Sequence, residues 1–454
     1  MTNGHQPSNS SRRDFLKTAT AGAAGVAAGV AAAKSEAYSL LPGRVLGANE
    51  KIHIGHIGIG VQGGTHLRLL NENKSANNTE SIALSDLYGR RLAEEGKKYD
   101  IKESMRFWDF RKLLENKDVD AVVVATSDNW HADVAIAAMQ AGKHVYCEKP
   151  MCKTLEEAFK LYDTVKSTKR TFQLGSQGCS DPKYHNVAKA IKEGAIGALV
   201  VGQDAYMRNG KVGEWNNYGR FDEDAGPTAP GDRRVDWETF RKGHGPTAWD
   251  PDRFFRWRKY FSYGSGLVGD LFPHRLHPLM IAMGFASSTG LDGWPVRVSS
   301  GGGLYVQKIN PKTGKVDREV PDFTNINVDM GNCTIMAMSS TINEQGWPPA
   351  IRGNKATLYF NGNTGEIKPE RIWADEVEAS TIELKGNGEP IQVHEKNWLD
   401  CIRDGKMPNC NIELATRVQV MITLGELSYR HNQTFTFDPK TRLSTPDSRK
   451  FNQF

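Results

Sequence analysis

Three sets of residues in this chain have the types and spacing to do chemistry. Gly58, Gly60 and Gly63 form a G-x-G-x-x-G pattern, with Val61 and Gln62 between the last two. The first glycine allows a tight turn, the second lets backbone approach a pyrophosphate, and the third lets a helix pack on a strand. Free N–H groups at the helix start then face the phosphates. Asp86 follows about 20 positions past the third glycine, where a carboxylate accepts hydrogen bonds from an adenosine ribose. It would repel a 2'-phosphate, so these residues predict NAD rather than NADP, with Arg90 and Arg91 close enough to offset part of that preference. The second set is Asp270 and His274: at D-x-x-x-H spacing on a helix the two share one face and reach one substrate, and imidazole titrates near neutrality. An N-cap aspartate beside a buried core histidine would give the same spacing. The third is a lone cation, Lys149 of Glu148-Lys149-Pro150, which elsewhere would be an ordinary surface lysine.

These groups need strands to hold them. Lys51 to Ile57 predicts a buried strand running into the glycine turn and a helix, and Ser81 to Asp86 a second strand. A helix over 88–98, a short strand near 104–108, a helix over 109–116, a strand over 120–125, a helix over 130–141 and strands over 143–147 and 172–176 follow. That rhythm predicts a doubly wound parallel sheet with helices on both faces, and ligands at the carboxyl ends of its strands. Thr126, Asn129 and His131 follow the fourth strand, and Glu148 and Lys149 the fifth, so all five are candidate cofactor contacts. A helix over 181–192 leads to longer strands, such as 199–207 and 333–342, separated by Gly/Pro-rich loops. The fold class is therefore α/β: a dinucleotide-binding domain over 51–177 and a second α/β domain over 178–454 with an open, mainly antiparallel sheet.

Glu148-Lys149-Pro150 after the fifth strand, downstream of Gly58 to Gly63 and Asp86, closely resembles the Gfo/Idh/MocA oxidoreductases. The resemblance is carried by 58–70, 126–131, 146–155, 264–278 and 397–408. It implies that the Rossmann-domain lysine, Lys149, sits between nicotinamide and substrate hydroxyl. His274 then takes the hydroxyl proton, and Asp270 fixes the His274 tautomer and contacts the sugar. Substrate contacts are expected from His277, Arg275, Tyr206, Arg208, Trp215 and Arg256. The family often has an aspartate where this chain has His277, and a basic residue near Gln177-Gly178-Cys179. Sugar sites combine aromatic faces with charged groups, so Trp237 and Trp249 in the aromatic loop over 208–252 join the candidates, although a loop tryptophan more often packs.

The N-terminus carries a separate message. Ser11-Arg12-Arg13-Asp14-Phe15-Leu16-Lys17 before a mild Ala/Gly-rich run to Ala33 resembles a twin-arginine export signal over 1–37, with an arm over 38–50. No later segment approaches 18 consecutive apolar residues, so no membrane association is expected after signal cleavage. Removing 1–37 lowers the formal charge from +5 to +3, too little to argue for nucleic acid. Six cysteines without a C-x-x-C pair read as structural thiols, and no zinc-type ligand spacing appears; His394-Glu395 falls on an amphipathic helix. The chain reads as an exported, periplasmic NAD-dependent oxidoreductase that acts on a sugar, sugar derivative or glycoside. It is expected to retain its cofactor tightly and to form a dimer or tetramer. Alternatives are an NAD-dependent glycosidase using transient C3 oxidation and elimination, and a non-catalytic carbohydrate-binding protein.

Overall fold

The computed structural model describes residues 50–216, 221–287, 290–306 and 318–447. The expected signal and all of the arm but Glu50 lie outside them.

Six parallel strands form the first sheet: β1 (Ile52–Ile57), β2 (Thr79–Ser85), β3 (Arg106–Phe107), β4 (Ala121–Val124), β5 (His144–Glu148) and β6 (Phe172–Gly175), in the order β3-β2-β1-β4-β5-β6. The central strand β4, Ala-Val-Val-Val, is apolar and buried throughout because helices cover both faces of the sheet, whereas β2 begins with the more polar Thr79-Glu80-Ser81. The order reverses between β1 and β4, and at such a switch point the carboxyl ends of the strands open into a crevice. Helix α1 (Val61–Glu72) follows β1, α2 (Gly89–Lys98) follows β2, α3 (Asp128–Gln140) follows β4 and α4 (Leu155–Thr168) follows β5. A capping box between Thr154 and Glu157 starts α4.

The second sheet contains β7 (Leu199–Asn209), β8 (Arg297–Gly303), β9 (Phe323–Asp329), β10 (Thr334–Ser340), β11 (Ile342–Asn343), β12 (Ala350–Gly353), β13 (Ala356–Asn361), β14 (Thr364–Pro369), β15 (Ser380–Glu383), β16 (Phe435–Asp438) and β17 (Leu443–Pro446). Its order is β15-β14-β13-β12-β7-β10-β9-β8-β16-β17, with β11 on β7. Within this second sheet, only β7 and β10 pair in parallel among the described strands. The expected strand over 333–342 is interrupted at Thr341, where β10 gives way to β11.

Helix α5 (Pro182–Lys192) leads into this sheet, and α6 (Gly266–Asp270) and α7 (Pro273–Ala282) lie between β7 and β8. Gly202, Asp204, Tyr206 and Arg208 alternate onto one face of β7. A Cβ on Gly202 would lie 2.3 Å from Met283 Sδ, so its absence lets the end of α7 settle on the strand. The chain closes with α8 (Ile391–Asp404) and α9 (Ile412–His431). Helix α9 is buried on nearly every side. A single apolar cluster runs from Val122 and Leu174 through Leu276 and Met421 to Ile335 and Leu358, so one continuous core supports both sheets.

Candidate active site

The glycine turn is built by close approach. Gly58 has φ +82°, and a Cβ there would lie 2.7 Å from the Ala125 carbonyl at the end of β4; one on Gly63 would lie 1.9 Å from Gly58 O. Helix α1 can therefore start directly over the turn, with its first N–H groups turned toward the crevice. Asp86, at the end of β2, accepts the Ile59 N–H at 2.8 Å and the Tyr88 N–H at 3.0 Å, and Arg91 Nη1 lies 3.4 Å from it. It ties the glycine turn to β2 while still lining a groove of about 260 Å³. Gly58, Gly60, Val61, Gln62 and Thr126 line the same groove.

The opposite wall comes from a segment the sequence marked only as an aromatic loop. Leu87 to Arg91 hydrogen-bond with it: Asp236 N–H to Leu87 O at 2.9 Å, Gly89 N–H to Arg234 O at 3.1 Å, and Tyr88 hydroxyl to Asp222 at 2.6 Å. Trp237, Phe240, Phe254, Phe255 and Tyr263 pack with Tyr88 into a small aromatic core. Phe240, Phe254, Phe255, Trp257 and Arg258 face the groove. Trp237 is buried and stacked on Phe240, and it donates to Thr247 O, so its role is packing.

The carboxyl end of β5 carries Lys149, joined to Pro150 by a cis peptide. Lys149 Nζ donates to Asp270 Oδ1 at 2.9 Å and to Asp270 O at 2.7 Å. Asp270 Oδ1 also accepts Arg258 Nε at 3.2 Å, and Oδ2 accepts Trp215 Nε1 at 2.9 Å. Burial alone would raise the Asp270 carboxyl, but the Lys149 and Arg258 charges and these hydrogen bonds hold it well below the usual carboxylate range. Trp215 adopts φ +68°, where a bulky side chain is strained, and is almost fully buried against Leu267, Leu271 and Val320. Asp128 at the start of α3 accepts the Ser265 N–H at 3.1 Å and fastens the end of β4 to the Tyr263–Ser265 turn. Burial raises its carboxyl to about 7.

His274 lies one turn beyond Asp270, across the junction of α6 and α7, half-buried with its ring 5.3 Å from that of Tyr206. The expected Asp270–His274 hydrogen bond is not formed, because both carboxylate oxygens are taken by Lys149, Arg258 and Trp215. Burial and the nearby Lys149 charge push the His274 pKa down to about 3, although Asp270 and Glu148 pull upward, so the imidazole is neutral at pH 7.

The match of residues 52–176 to the oxidoreductase family model with an NAD-binding Rossmann fold, Gfo/Idh/MocA, decides the class of this crevice. The Rossmann domain of this chain belongs to the Gfo/Idh/MocA family. It is an NAD-binding domain. A second model, the TAT signal of the Ubiquitinol-cytochrome C reductase Fe-S subunit, matches residues 2–33. The levoglucosan dehydrogenase of Pseudarthrobacter phenanthrenivorans is 27% identical over 281 residues, covering 61% of each chain. The alpha-N-acetylgalactosaminidase of Shewanella oneidensis is 27% identical over 236 residues, covering 46% of this chain and 50% of that one. This chain thus spans between half and 61% of the length of these curated relatives. A solved levoglucosan dehydrogenase in complex with NADH and levoglucosan superposes with a TM-score of 0.61 at 18% identity, over 88% of this chain and all of that one, which shows a shared fold.

Within this site, several candidates occupy supporting positions rather than the groove wall. Glu148 is buried and bonded to His66 and Gln62. His131 bridges Pro150 O at 2.6 Å and Thr126 O at 3.2 Å, bracing the turn from behind. The Asn129 amide is engaged by the Ser127 hydroxyl and Phe240 O. His277, three positions after His274, points into the core, where Nδ1 meets Pro273 O. Arg256 is turned to Asp252 and the Phe221 ring, while Arg258, two residues on, reaches Asp270. Arg275 and Arg208 both lie over the Tyr206 ring, and Arg208 also pairs with Glu214. Arg258 was detectable only as a neighbour of the Arg256-Trp257 pair, because nothing in the local pattern says which arginine faces inward.

Proposed function

We propose that this chain is an exported NAD-dependent oxidoreductase that acts on a sugar, sugar derivative or glycoside by reversible hydride transfer and keeps its cofactor bound. The observation that carries the reading is Lys149 held on Asp270 at the carboxyl end of β5, one helical turn from a neutral His274, beside the groove of an NAD-binding domain. Bound NAD supplies a hydride acceptor that can also return the hydride. The glycine turn and the start of α1 hold the phosphates, and Asp86 holds the ribose. Lys149 donates a hydrogen bond to the reacting hydroxyl oxygen, and His274, unprotonated, accepts that hydroxyl's proton. Asp270 keeps the ammonium aimed. The aromatic segment joined to Leu87–Arg91 lines the groove together with the glycine turn, an arrangement that supports retention of the nucleotide.

The twin-arginine match supports export to the periplasm, and that route moves folded protein, so a cofactor bound inside travels with it. A retained nucleotide must be restored within each cycle, either by a second sugar or by the same molecule after elimination. The glycosidase relative favours keeping the second branch. The test is to purify the exported form without added nucleotide and identify what it releases. It is then challenged with levoglucosan, D-glucose and 4-nitrophenyl N-acetyl-α-D-galactosaminide, each deuterated at C3. Copurifying NAD(H) with deuterium recovered in a sugar product supports the reading, and release of nitrophenol selects the glycosidase branch. Empty protein whose activity follows added NAD stoichiometrically overturns retention, and inertness toward sugars and glycosides with NAD bound overturns the substrate class.

A further inference from the structure

His66 has no part in the chemistry above, yet it occupies one of the most constrained positions in the molecule. It lies on α1, one turn past Gly63, and its side chain is completely buried. Nε2 lies 2.9 Å from Glu148 Oε1 and Nδ1 lies 2.7 Å from Glu395 Oε1. An ionised carboxylate only accepts, so a ring held between two of them carries protons on both nitrogens; burial raises the Glu395 carboxyl, and the His66 contact pulls against that. Burial lowers the imidazole pKa, but the hydrogen bonds and charges of Glu148 and Glu395 more than offset it and raise it to about 9. Burial likewise raises Glu148, and the His66 contact overcomes it, bringing that carboxyl down to about 2.

The remaining contacts hold Glu148 in one orientation. Gln62 Nε2 donates to Oε1 at 3.2 Å, and Oε2 accepts the Lys149 N–H at 3.2 Å. Behind Oε1 stands Gly175, where a Cβ would come within 2.6 Å of that oxygen. The Tyr146 ring meets His66 edge-on at 5.0 Å, and Trp398 of α8 packs on the far side of Tyr146. Glu395 also belongs to α8, so His66 joins that helix to the turn that carries Lys149. The charged and titratable neighbours behind the three are His56 and His394 near His66, Arg68 near Glu395, and Lys149, His274, His131 and His394 near Glu148.

We infer that His66 is a positioning residue for Lys149: clamped between Glu148 and Glu395, it fixes the Glu148–Pro150 turn and so keeps the Lys149 ammonium on Asp270. The inference rests on the proposed role of Lys149, but its test needs no sugar. NAD-loaded protein is trace-labelled with acetic anhydride across a pH series, and acetylation of the Lys149 peptide is quantified by mass spectrometry. His66→Gln removes the contact that keeps Glu148 ionised and frees the Lys149 ammonium from Asp270, and both changes should lower the labelling midpoint, by at least about 0.5 pH unit. Glu395→Gln leaves His66 with one carboxylate. It should move the Lys149 midpoint less, in the same direction, and lower the His66 titration seen by 15N NMR by about 1 unit or more. NAD titration and thermal melting identify which variants are folded, and Glu395→Gln alone decides the question if His66→Gln does not fold. With any sugar active in the panel above, kcat should fall about tenfold in His66→Gln with KM within about threefold. A Lys149 midpoint unmoved in the folded variants, or His66 titrating near its ordinary value in the unaltered protein, overturns the inference. Failure of every sugar leaves the labelling result standing.

Discussion

The two sides of the crevice are made in different ways. On the nucleotide side, the shape is backbone: Gly58 and Gly63 are seats that no side chain fits, and Asp86 accepts main-chain N–H groups as much as it faces the groove. On the side of Lys149, the shape is side-chain pairing: Asp270 gathers Lys149, Arg258 and Trp215 from three distant parts of the chain. A backbone site is specified over a few residues of sequence, whereas a paired site depends on partners that only folding brings together. Damage should therefore be abrupt on the first side and graded on the second.

The largest effect is expected at the helix seat. Gly63→Val must push α1 off the turn, costing about 3 kcal/mol or more and abolishing NAD binding, read by urea unfolding and nucleotide titration. Native stability with NAD still bound would remove the distinction between the two sides. Next come Lys149→Ala and His274→Ala, each expected to lower turnover at least about a hundredfold while copurified NAD stays near native. Asp270→Asn should be milder. If His274→Ala kept its rate, Tyr206 against its ring would be the next candidate, because His277 is turned into the core.

A smaller effect sharpens the contrast within one short stretch. Arg258→Met should cost about tenfold in kcat/KM through the Asp270 cluster, whereas Arg256→Met should lower stability without changing turnover of the folded fraction. Equal losses in both would mean that the segment acts as a unit. On the nucleotide side, NAD should bind about tenfold tighter than NADP because Asp86 meets the 2' position. Equal or tighter NADP binding, measured on cofactor-free protein, would instead give Arg91 the deciding role.

The smallest effects are in pH dependence, and the buried histidines divide by sign. Burial lowers His56 and His144 to about 3 and His277 and His394 to about 4. As pH falls below about 6.5 the unfolded chain takes up protons that these folded sites refuse, so each subtracts stability down to its folded pKa. His66 runs the other way: its contribution is complete below about 6.5 and is lost as pH rises toward 9. Urea unfolding from pH 5 to 9 should show a stability maximum between these limbs, and His66→Gln should remove the alkaline one.

Much of this architecture was legible in the residues. The strands over 52–57, 79–85, 121–124, 144–148 and 172–175 lie within two residues of their apolar runs, because strand segments buried on both faces are mainly apolar. Glycine spacing located the tight turn between β1 and α1, since no other residue fits where backbone meets backbone. The open second sheet was visible as a class, but not its eleven-strand order, because strand pairing is a long-range choice that local pattern does not encode.

The sequence by itself determined the cofactor half of the protein: the turn, the acidic residue after β2, and the Glu-Lys-Pro strand end all follow from local backbone and short spacing. Tertiary structure alone decided what those groups are joined to. It gave the Asp270 oxygens to Lys149, Arg258 and Trp215 instead of His274, turned Arg256 to Asp252 and Arg258 to Asp270, and lined the groove with a segment far downstream of Leu87 to Arg91. It also placed His66 between two carboxylates separated by 247 positions in the chain. A side chain's charge is written in its residue type, but its partner is set by the packing of distant elements, and that partner decides whether it acts, braces or merely packs.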